Sequence, residues 1–155
     1  MTINNFSKKY HFLSNYHKVP VYYNGLTYKN SEAAYQAQKT LNPKIREKFT
    51  KLEPHDSKMF GQTVDLRPDW EQIKIGIMAE VVHQKFKQNP KLIPKLLETK
   101  DEELLEGNTW HDNCFGDCIC PKCENKKGGN FLGKILMSER EYWKNKYSQI
   151  KQTEI

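Results

Sequence analysis

Apolar side chains recur with a helical period between Pro68 and Gln88, in PDWEQIKIGIMAEVVHQKFKQ, and no other stretch constrains the fold as strongly. The repeating residues are Trp70, Ile73, Ile77, Met78, Val81, Val82 and Phe86. At 3.6 residues per turn these side chains share one stripe of an α-helix, and that stripe has to be buried. The sequence therefore predicts a long amphipathic helix with one face in the core.

Shorter elements are predicted ahead of this helix. Short β-type runs flank Asn24-Gly25, a pair that supplies the two positive-φ positions of a tight hairpin turn. A helix follows in NSEAAYQAQK, where Asn30 or Ser31 can cap the first turn. Another helix is expected to begin at Pro43, and a short one lies in PHDSKMFGQTV.

Beyond the long helix, PKLIPKLLET predicts a short helix with Pro94 near its start, and DEELLEG fits either a helical turn or a strand. A last helix is expected after Gly128-Gly129. Its apolar face comprises Phe131, Leu132, Ile135, Leu136 and Met137. Five or six helices without regular strand-helix alternation indicate a mainly helical α+β fold with a small β-hairpin, rather than a doubly wound parallel sheet.

The length of 155 residues suits one domain spanning 1–155. We expect loosely ordered ends at 1–10 and 148–155. The start, MTINNFSKKYHF, lacks the apolar run of a signal peptide, and no stretch approaches the roughly 18 apolar residues of a membrane span. These features predict a soluble, cytoplasmic protein with no membrane partner, and they carry no information about its oligomeric state.

The charge of the chain allows an acidic partner without identifying one. The formal net charge is +6 and the pI is about 9.0. The basic residues are spread over two amphipathic segments: Lys44, Arg46, Lys48 and Lys51 in one, and Lys85, Lys87, Lys91 and Lys95 in the other. Such spacing is typical of a solvated exterior, whereas a site for duplex DNA concentrates Lys and Arg on one stripe.

The common nucleotide-binding, serine-hydrolase and zinc-protease motifs are missing from the sequence. No cofactor is therefore expected. Polar residues with a regular spacing remain: Glu32, Gln36 and Lys39 fall on one face of the helix in NSEAAYQAQK. By local physics alone this face is a solvated exterior in which Glu32 and Lys39 complement the helix dipole, an effect of roughly 0.3–1 kcal/mol each.

The four cysteines lie within ten residues, at Cys114, Cys118, Cys120 and Cys123, which argues against a disulfide framework. Two interpretations remain. The four thiolates could hold a structural zinc ion, although a C-x-C step makes joint ligation cramped. Otherwise they are free thiols in a reducing compartment. His55, His83 and His111 show no metal-ligand spacing with one another, so we assign no metal ligand.

Four sequence blocks stand out together along the chain. The first is FLSNYHKVPVYYNGLTYKNSEAAYQAQK, with an F-S-N element, a hairpin turn and S/V-E-x-x-Y/F-Q-A-x-K. The others are RPDWEQIKIGIM, HDNCFGD and GGNFLGKILMSERE. Together they run from Phe12 to about Glu141, nearly the whole chain, and in order and spacing they resemble the YbiA-like family, also called the NADAR superfamily.

The resemblance implies an N-glycosidase. It places Glu32, Trp70 and Asp112 at the family's active-site positions, with Lys39 and two polar neighbours, Gln36 and Asn15, beside the pocket. Family members cleave phosphorylated riboflavin-pathway intermediates or remove ADP-ribose from guanine bases of DNA. The implied partners are thus a phosphorylated riboside or an ADP-ribose-containing substrate, with ADP-ribosylated DNA as the alternative.

The chain departs from the family pattern in one region. Phe115 replaces a frequent Trp ahead of Gly-Asp, His111 replaces a frequent Asn, and residues 118–127 replace a Gly-rich connection. These changes leave the substrate open. Two other functions also stay open: a module that binds ADP-ribose or a related nucleotide without cleaving it, and a thiol or zinc protein organised around the cysteines.

Overall fold

We describe the protein from a computed structural model, with the backbone described for residues 1–153 and side chains for residues 1–150. Over that range the helices are α1 (Ser31–Ala37), α2 (Pro43–Phe49), α3 (Pro54–Gly61), α4 (Trp70–Gln88), α5 (Ile93–Leu97) and α6 (Phe131–Thr153). The strands are β1 (Thr2–Ile3), β2 (Val21–Tyr23), β3 (Leu26–Tyr28), β4 (Glu103–Leu104), β5 (Gly107–Asn108) and β6 (Asp117–Cys118). The predicted α+β fold, mainly helical with little sheet, is confirmed.

The chain divides into two compact units, one formed by His11–Pro90 and the other by Met1–Tyr10 with Lys91–Ile155. In the first unit, β2 and β3 pair antiparallel around the turn at Asn24 and Gly25, which have φ values of 52° and 94°. The predicted hairpin is therefore confirmed. The hydrophobic core of this first unit comprises Val21, Tyr28, Ala33, Ala34, Ala37, Phe49 and Val81.

The long helix α4 begins and ends within two residues of the predicted bounds. Its buried stripe includes Met78, Val81 and Phe86, as the period predicted. Lys85 lies on this stripe too, and only 1% of its surface is exposed. The prediction of a solvated exterior is thus wrong for Lys85, because its aliphatic stem packs in the core while its ammonium finds partners there.

Those partners lie in the segment that precedes the hairpin. Lys85 Nζ donates to the main-chain carbonyls of Phe12 and Ser14, at 2.6 and 2.9 Å. Burial lowers the pKa of Lys85 to about 7, since the charged form loses its hydration. Through these two bonds α4 fixes the position of the chain just before Asn15.

In the second unit, β1 pairs parallel with β4, and β5 pairs parallel with β6. The ambiguous DEELLEG segment contains strand β4. Residues 1–10 were expected to be loosely ordered, yet Thr2–Ile3 forms a strand, since Ile3 and Phe6 bury apolar side chains. At the other end α6 continues to Thr153, and residues 154–155 of the second predicted loose end lie outside the described residues.

Helix α6 follows Gly128-Gly129 as predicted, and it packs against α5 and β4. Leu132 and Leu136 are fully buried on this face, and Arg140 Nη1 donates to Thr99 Oγ1 and to the Glu102 carbonyl, both at 2.9 Å. Within the described part of the chain, the helices are all too short or too polar to cross a membrane.

Candidate active site

Helix α1 carries the polar face that the sequence singled out, and the structure buries it. The Asn30 side chain caps the helix by accepting from the Ala33 backbone N–H at 2.7 Å. Glu32 is 8% exposed and Gln36 is 6% exposed. The interpretation of this face as a solvated exterior is therefore wrong. The fully buried alanines of α1 let α2, α3 and α4 pack closely around it.

A hydrogen bond fixes the Glu32 carboxylate. Gln36 Nε2 donates to Glu32 Oε1 at 2.9 Å, one helical turn away. The other end of that amide, Gln36 Oε1, is buried and accepts no hydrogen bond among the described residues. A buried acceptor of this kind is uncommon in folded proteins, and it can take a proton donor from a bound molecule.

Gly61, at the end of α3, is what makes room for the Gln36 side chain. A Cβ at position 61 would lie 2.0 Å from Gln36 Oε1. Any larger residue would displace the amide that holds Glu32. This contact joins sites distant in sequence, and no local pattern indicated a role for Gly61.

Asn15 is tied to the start of α1. Ser31 Oγ donates to Asn15 Oδ1 at 3.1 Å, and the Glu32 backbone N–H donates to the Asn15 carbonyl at 3.2 Å. Asn15 Nδ2 lies 3.3 Å from Met78 Sδ on α4. The structure thus brings Asn15, Glu32 and Gln36 together, three residues that the family resemblance places at or beside one pocket.

Lys39 follows α1 and is half-buried. Burial is the main cause that lowers its pKa, and the nearby ammonium groups of Lys74 and Lys58 lower it further, whereas the Glu32 carboxylate raises it. Three cations, Lys39 just after α1, Lys58 on α3 and Lys74 on α4, therefore act on the same region as Glu32. Lys74 also pairs with Glu71 at 2.8 Å. An anion bound at this position would stabilise the protonated form of Lys39.

Trp70 begins α4 and is 4% exposed. Its indole packs against the Tyr35 ring, with centroids 5.2 Å apart and planes at 51°. Tyr35 is also buried, so α1 and α4 are joined beside Glu32 through two aromatic rings. In this arrangement Trp70 positions the helix that carries Glu32.

Asp112 lies in the second unit, in the loop between β5 and β6. Its Oδ1 accepts from the backbone N–H groups of Cys114 and Phe115, both at 3.0 Å. The turn is closed further by Asn108, whose side chain bonds both the N–H and the carbonyl of Asp112. Asp112 thus stabilises a turn of its own loop through its side chain.

From this loop to the turn after β6, the chain brings together a histidine and three cysteines, a combination that sequence reasoning missed. The structure places four potential metal ligands near one another: His111, Cys118, Cys120 and Cys123. His111 takes the place expected for Cys114. The spacing of the histidines had given no signal, because the relevant neighbours of His111 are cysteines.

Comparison with known proteins agrees with this fold. The NADAR domain family matches residues 2–144. An N-glycosidase YbiA of Shigella boydii is 36% identical over 146 residues, covering 90% of this chain and 88% of the relative. A riboflavin biosynthesis protein of Vibrio vulnificus is 34% identical over 135 residues, covering 84% of this chain and 35% of that protein.

The solution structure of the Escherichia coli protein YbiA has the same fold. It superposes with a TM-score of 0.79 at 32% identity, over 94% of this chain and 87% of that one. Sequence and structure thus agree over nearly the whole chain, and the helix that carries Glu32 lies inside the matched region. The chain accordingly belongs to the NADAR family and is an N-glycosidase, a hydrolase acting on N-glycosyl bonds.

Proposed function

We propose that this protein hydrolyses the ribosyl C–N bond of a phosphorylated riboside, in particular a ribosylaminopyrimidine phosphate of riboflavin biosynthesis. The observation that carries the proposal is the buried Glu32 carboxylate, held by Gln36 within the electrostatic reach of Lys39. The name of the Vibrio vulnificus relative supports the riboflavin substrate. We also propose a cytoplasmic location, which suits four cysteines that form no disulfide.

The chemistry requires a carboxylate near the sugar. Breaking the C–N bond builds positive charge on the ribose, and paired carboxylates have the analogous task in O-glycoside hydrolysis. In our proposal Glu32 takes a proton from water and the water oxygen bonds to the anomeric carbon. The leaving base departs with the C–N electron pair and receives the proton that Glu32 took up, which restores the carboxylate. The Gln36 bond keeps the carboxylate in a fixed orientation.

The phosphate would lie against the lysines. The ammonium groups of Lys58 and Lys74 disfavour the protonated form of Lys39, and a phosphate would relieve that repulsion. Hydrogen bonds between ammonium and phosphate groups are among the stronger ones in proteins. These three lysines, in the same region as Glu32, would be enough to bind a small anionic substrate. Duplex DNA would instead require a longer stripe of basic residues.

We propose that Asp112 also takes part in the reaction, because the family resemblance places it at an active-site position. Its second carboxylate oxygen would steady the sugar cation or its hydroxyls, while Oδ1 keeps the turn. Trp70 would act by holding α1 against α4 through Tyr35.

The test is to incubate the full chain with three substrates and to measure released product by chromatography. We expect free aminopyrimidine from the ribosylaminopyrimidine phosphate, and release at least about 10-fold slower from the unphosphorylated riboside, the matched control for the lysines. Release of ADP-ribose from ADP-ribosylated DNA, with no base from the riboside phosphate, would instead assign the DNA substrate. Binding without any release would show a nucleotide-binding module and contradict the proposal.

The lowered pKa of Lys39 leads to a pH dependence. A lysine with a lowered pKa loses its proton at a lower pH than an ordinary lysine, so phosphate affinity declines earlier as pH rises. We expect KM for the phosphorylated substrate to increase with pH already below the ordinary lysine pKa of about 10.4, in a range where the phosphate itself is a dianion. In Lys39→Arg the increase should vanish, because arginine stays charged throughout.

Lys39→Met is expected to raise KM about 10- to 100-fold at neutral pH, the loss of one charge-assisted hydrogen bond. Lys48→Met is the matched control, since Lys48 is exposed on α2. An unchanged KM in Lys39→Met, or the same pH profile in Lys39→Arg as in the unmodified protein, would remove Lys39 from the phosphate site.

A further inference from the structure

The loop before β6, the end of β6 and the turn after it together form a compact cluster of metal-binding atoms. Its members are His111 Nδ1 and the Sγ atoms of Cys118, Cys120 and Cys123, all within 4.8 Å of one another. His111 Nδ1 lies 3.9, 3.3 and 3.4 Å from the sulfurs of the three cysteines in that order. We call this group the three-cysteine, one-histidine cluster.

These separations match a tetrahedral metal site. Zinc binds sulfur at about 2.3 Å and imidazole nitrogen at about 2.0–2.1 Å, so nitrogen and sulfur ligands on neighbouring corners are about 3.6 Å apart. The three nitrogen-sulfur distances bracket that value. One histidine and three cysteines are also a common ligand set of structural zinc sites.

The backbone explains how the cramped C-x-C step is accommodated. Cys118 ends strand β6, and alternate residues of an extended chain point to the same side, so Cys118 and Cys120 both face the cluster while Ile119 points outward. Cys120 then caps the short 3₁₀ turn Pro121–Cys123, which brings Cys123 back to the same point. His111 enters with a φ of 67°, an uncommon value for a residue other than glycine.

A neighbouring residue, Asn113, bonds the sulfur of one ligand and the backbone of another. Asn113 Nδ2 donates to Cys123 Sγ at 3.3 Å, and Asn113 Oδ1 accepts from the Cys118 backbone N–H at 2.9 Å. Hydrogen bonds of this kind orient metal ligands and stabilise thiolate charge. Cys114 lies outside the cluster, and its backbone is instead part of the Asp112 turn.

We propose that the three-cysteine, one-histidine cluster binds one Zn²⁺ ion as a structural site. With four protein ligands the coordination is closed, so the ion would leave no position for a substrate or a water nucleophile. It would instead hold residues 111–123 in one conformation, and Asp112 directly follows the His111 ligand. This inference does not depend on the substrate, because a closed metal site stabilises the loop whatever the enzyme hydrolyses.

The test is the metal content of the full chain, purified in reducing buffer without chelator and measured by elemental mass spectrometry. We expect about one equivalent of zinc for the unmodified protein. Zinc should be lost in Cys123→Ser and in His111→Ala, and it should be retained in Cys114→Ser, the matched cysteine control. A zinc-free protein after growth in zinc-supplemented medium would overturn the proposal, as would zinc loss in Cys114→Ser with retention in His111→Ala.

Cobalt binding to the unmodified chain tests the same metal site without any variant that could fail to fold. Apo protein prepared from the unmodified chain is titrated with Co²⁺, which gives intense d–d absorption when tetrahedral and a charge-transfer band when bound by thiolate. We expect both features, saturating at about one equivalent. Absence of the charge-transfer band would overturn the site without the use of any variant, and no glycosidase measurement enters the result.

Discussion

Replacing Glu32 by glutamine is expected to lower glycosidase turnover about 1000-fold, the scale of a lost general base. Glutamine has the same shape and keeps an oxygen that can accept from Gln36 Nε2, so the hydrogen bond that fixes residue 32 survives. What disappears is the negative charge and the capacity to take a proton from water. The steady-state rate of base release, measured at saturating substrate, checks the prediction.

The control separates chemistry from folding. Glu47→Gln makes the same substitution at an exposed position of α2, and it should leave turnover unchanged. Thermal unfolding of Glu32→Gln should match that of the unmodified protein. Turnover within about threefold of normal in a folded Glu32→Gln protein would exclude Glu32 as the base.

Replacing Asp112 by asparagine should lower turnover about 100-fold if its carboxylate stabilises charge on the sugar. Asparagine keeps an Oδ1 that accepts from the N–H groups of Cys114 and Phe115, so the turn is retained. The substitution therefore isolates the charge of Asp112 from its structural role. Single-turnover kinetics, in which chemistry is separated from product release, gives the relevant rate.

Asp117→Asn is the matched control for this second prediction. Asp117 Oδ1 likewise accepts from a backbone N–H, that of Gly128, at 3.1 Å, in the same unit of the chain. We expect normal turnover in that variant. If Asp112→Asn and Asp117→Asn are equally active, then Asp112 shapes the loop and has no part in the reaction.

Local physics was enough to predict much of the fold. The Asn24-Gly25 turn depends on two φ angles, and the cap of α2 depends on Asn42, whose side chain accepts from the Lys44 and Ile45 backbone. The bounds of α4 follow from its apolar period. In contrast, the pairing of Thr2–Ile3 with Glu103–Leu104 joins segments a hundred residues apart, and no short-range pattern encodes it.

In the candidate site too, local patterns predicted some features, whereas contacts between distant segments were not predicted. Spacing placed Glu32 and Gln36 on one face of a helix, but only packing by α3 and α4 decided that the face is buried. Trp70 was identified by resemblance, yet its contact with Tyr35 was not predicted. His111 joins the cysteines because its backbone adopts a left-handed conformation, which the sequence HDNC does not require.

The reactivity of the buried Lys85 amine can be used to measure motion near the candidate active site. With a pKa of about 7, much of this amine is neutral at physiological pH, and the neutral form is the nucleophile that attacks acylating reagents. Its bonds to the Phe12 and Ser14 carbonyls shield it while the segment is closed over α4. The rate of Lys85 acylation would then report how often the segment that carries Asn15 opens away from α4.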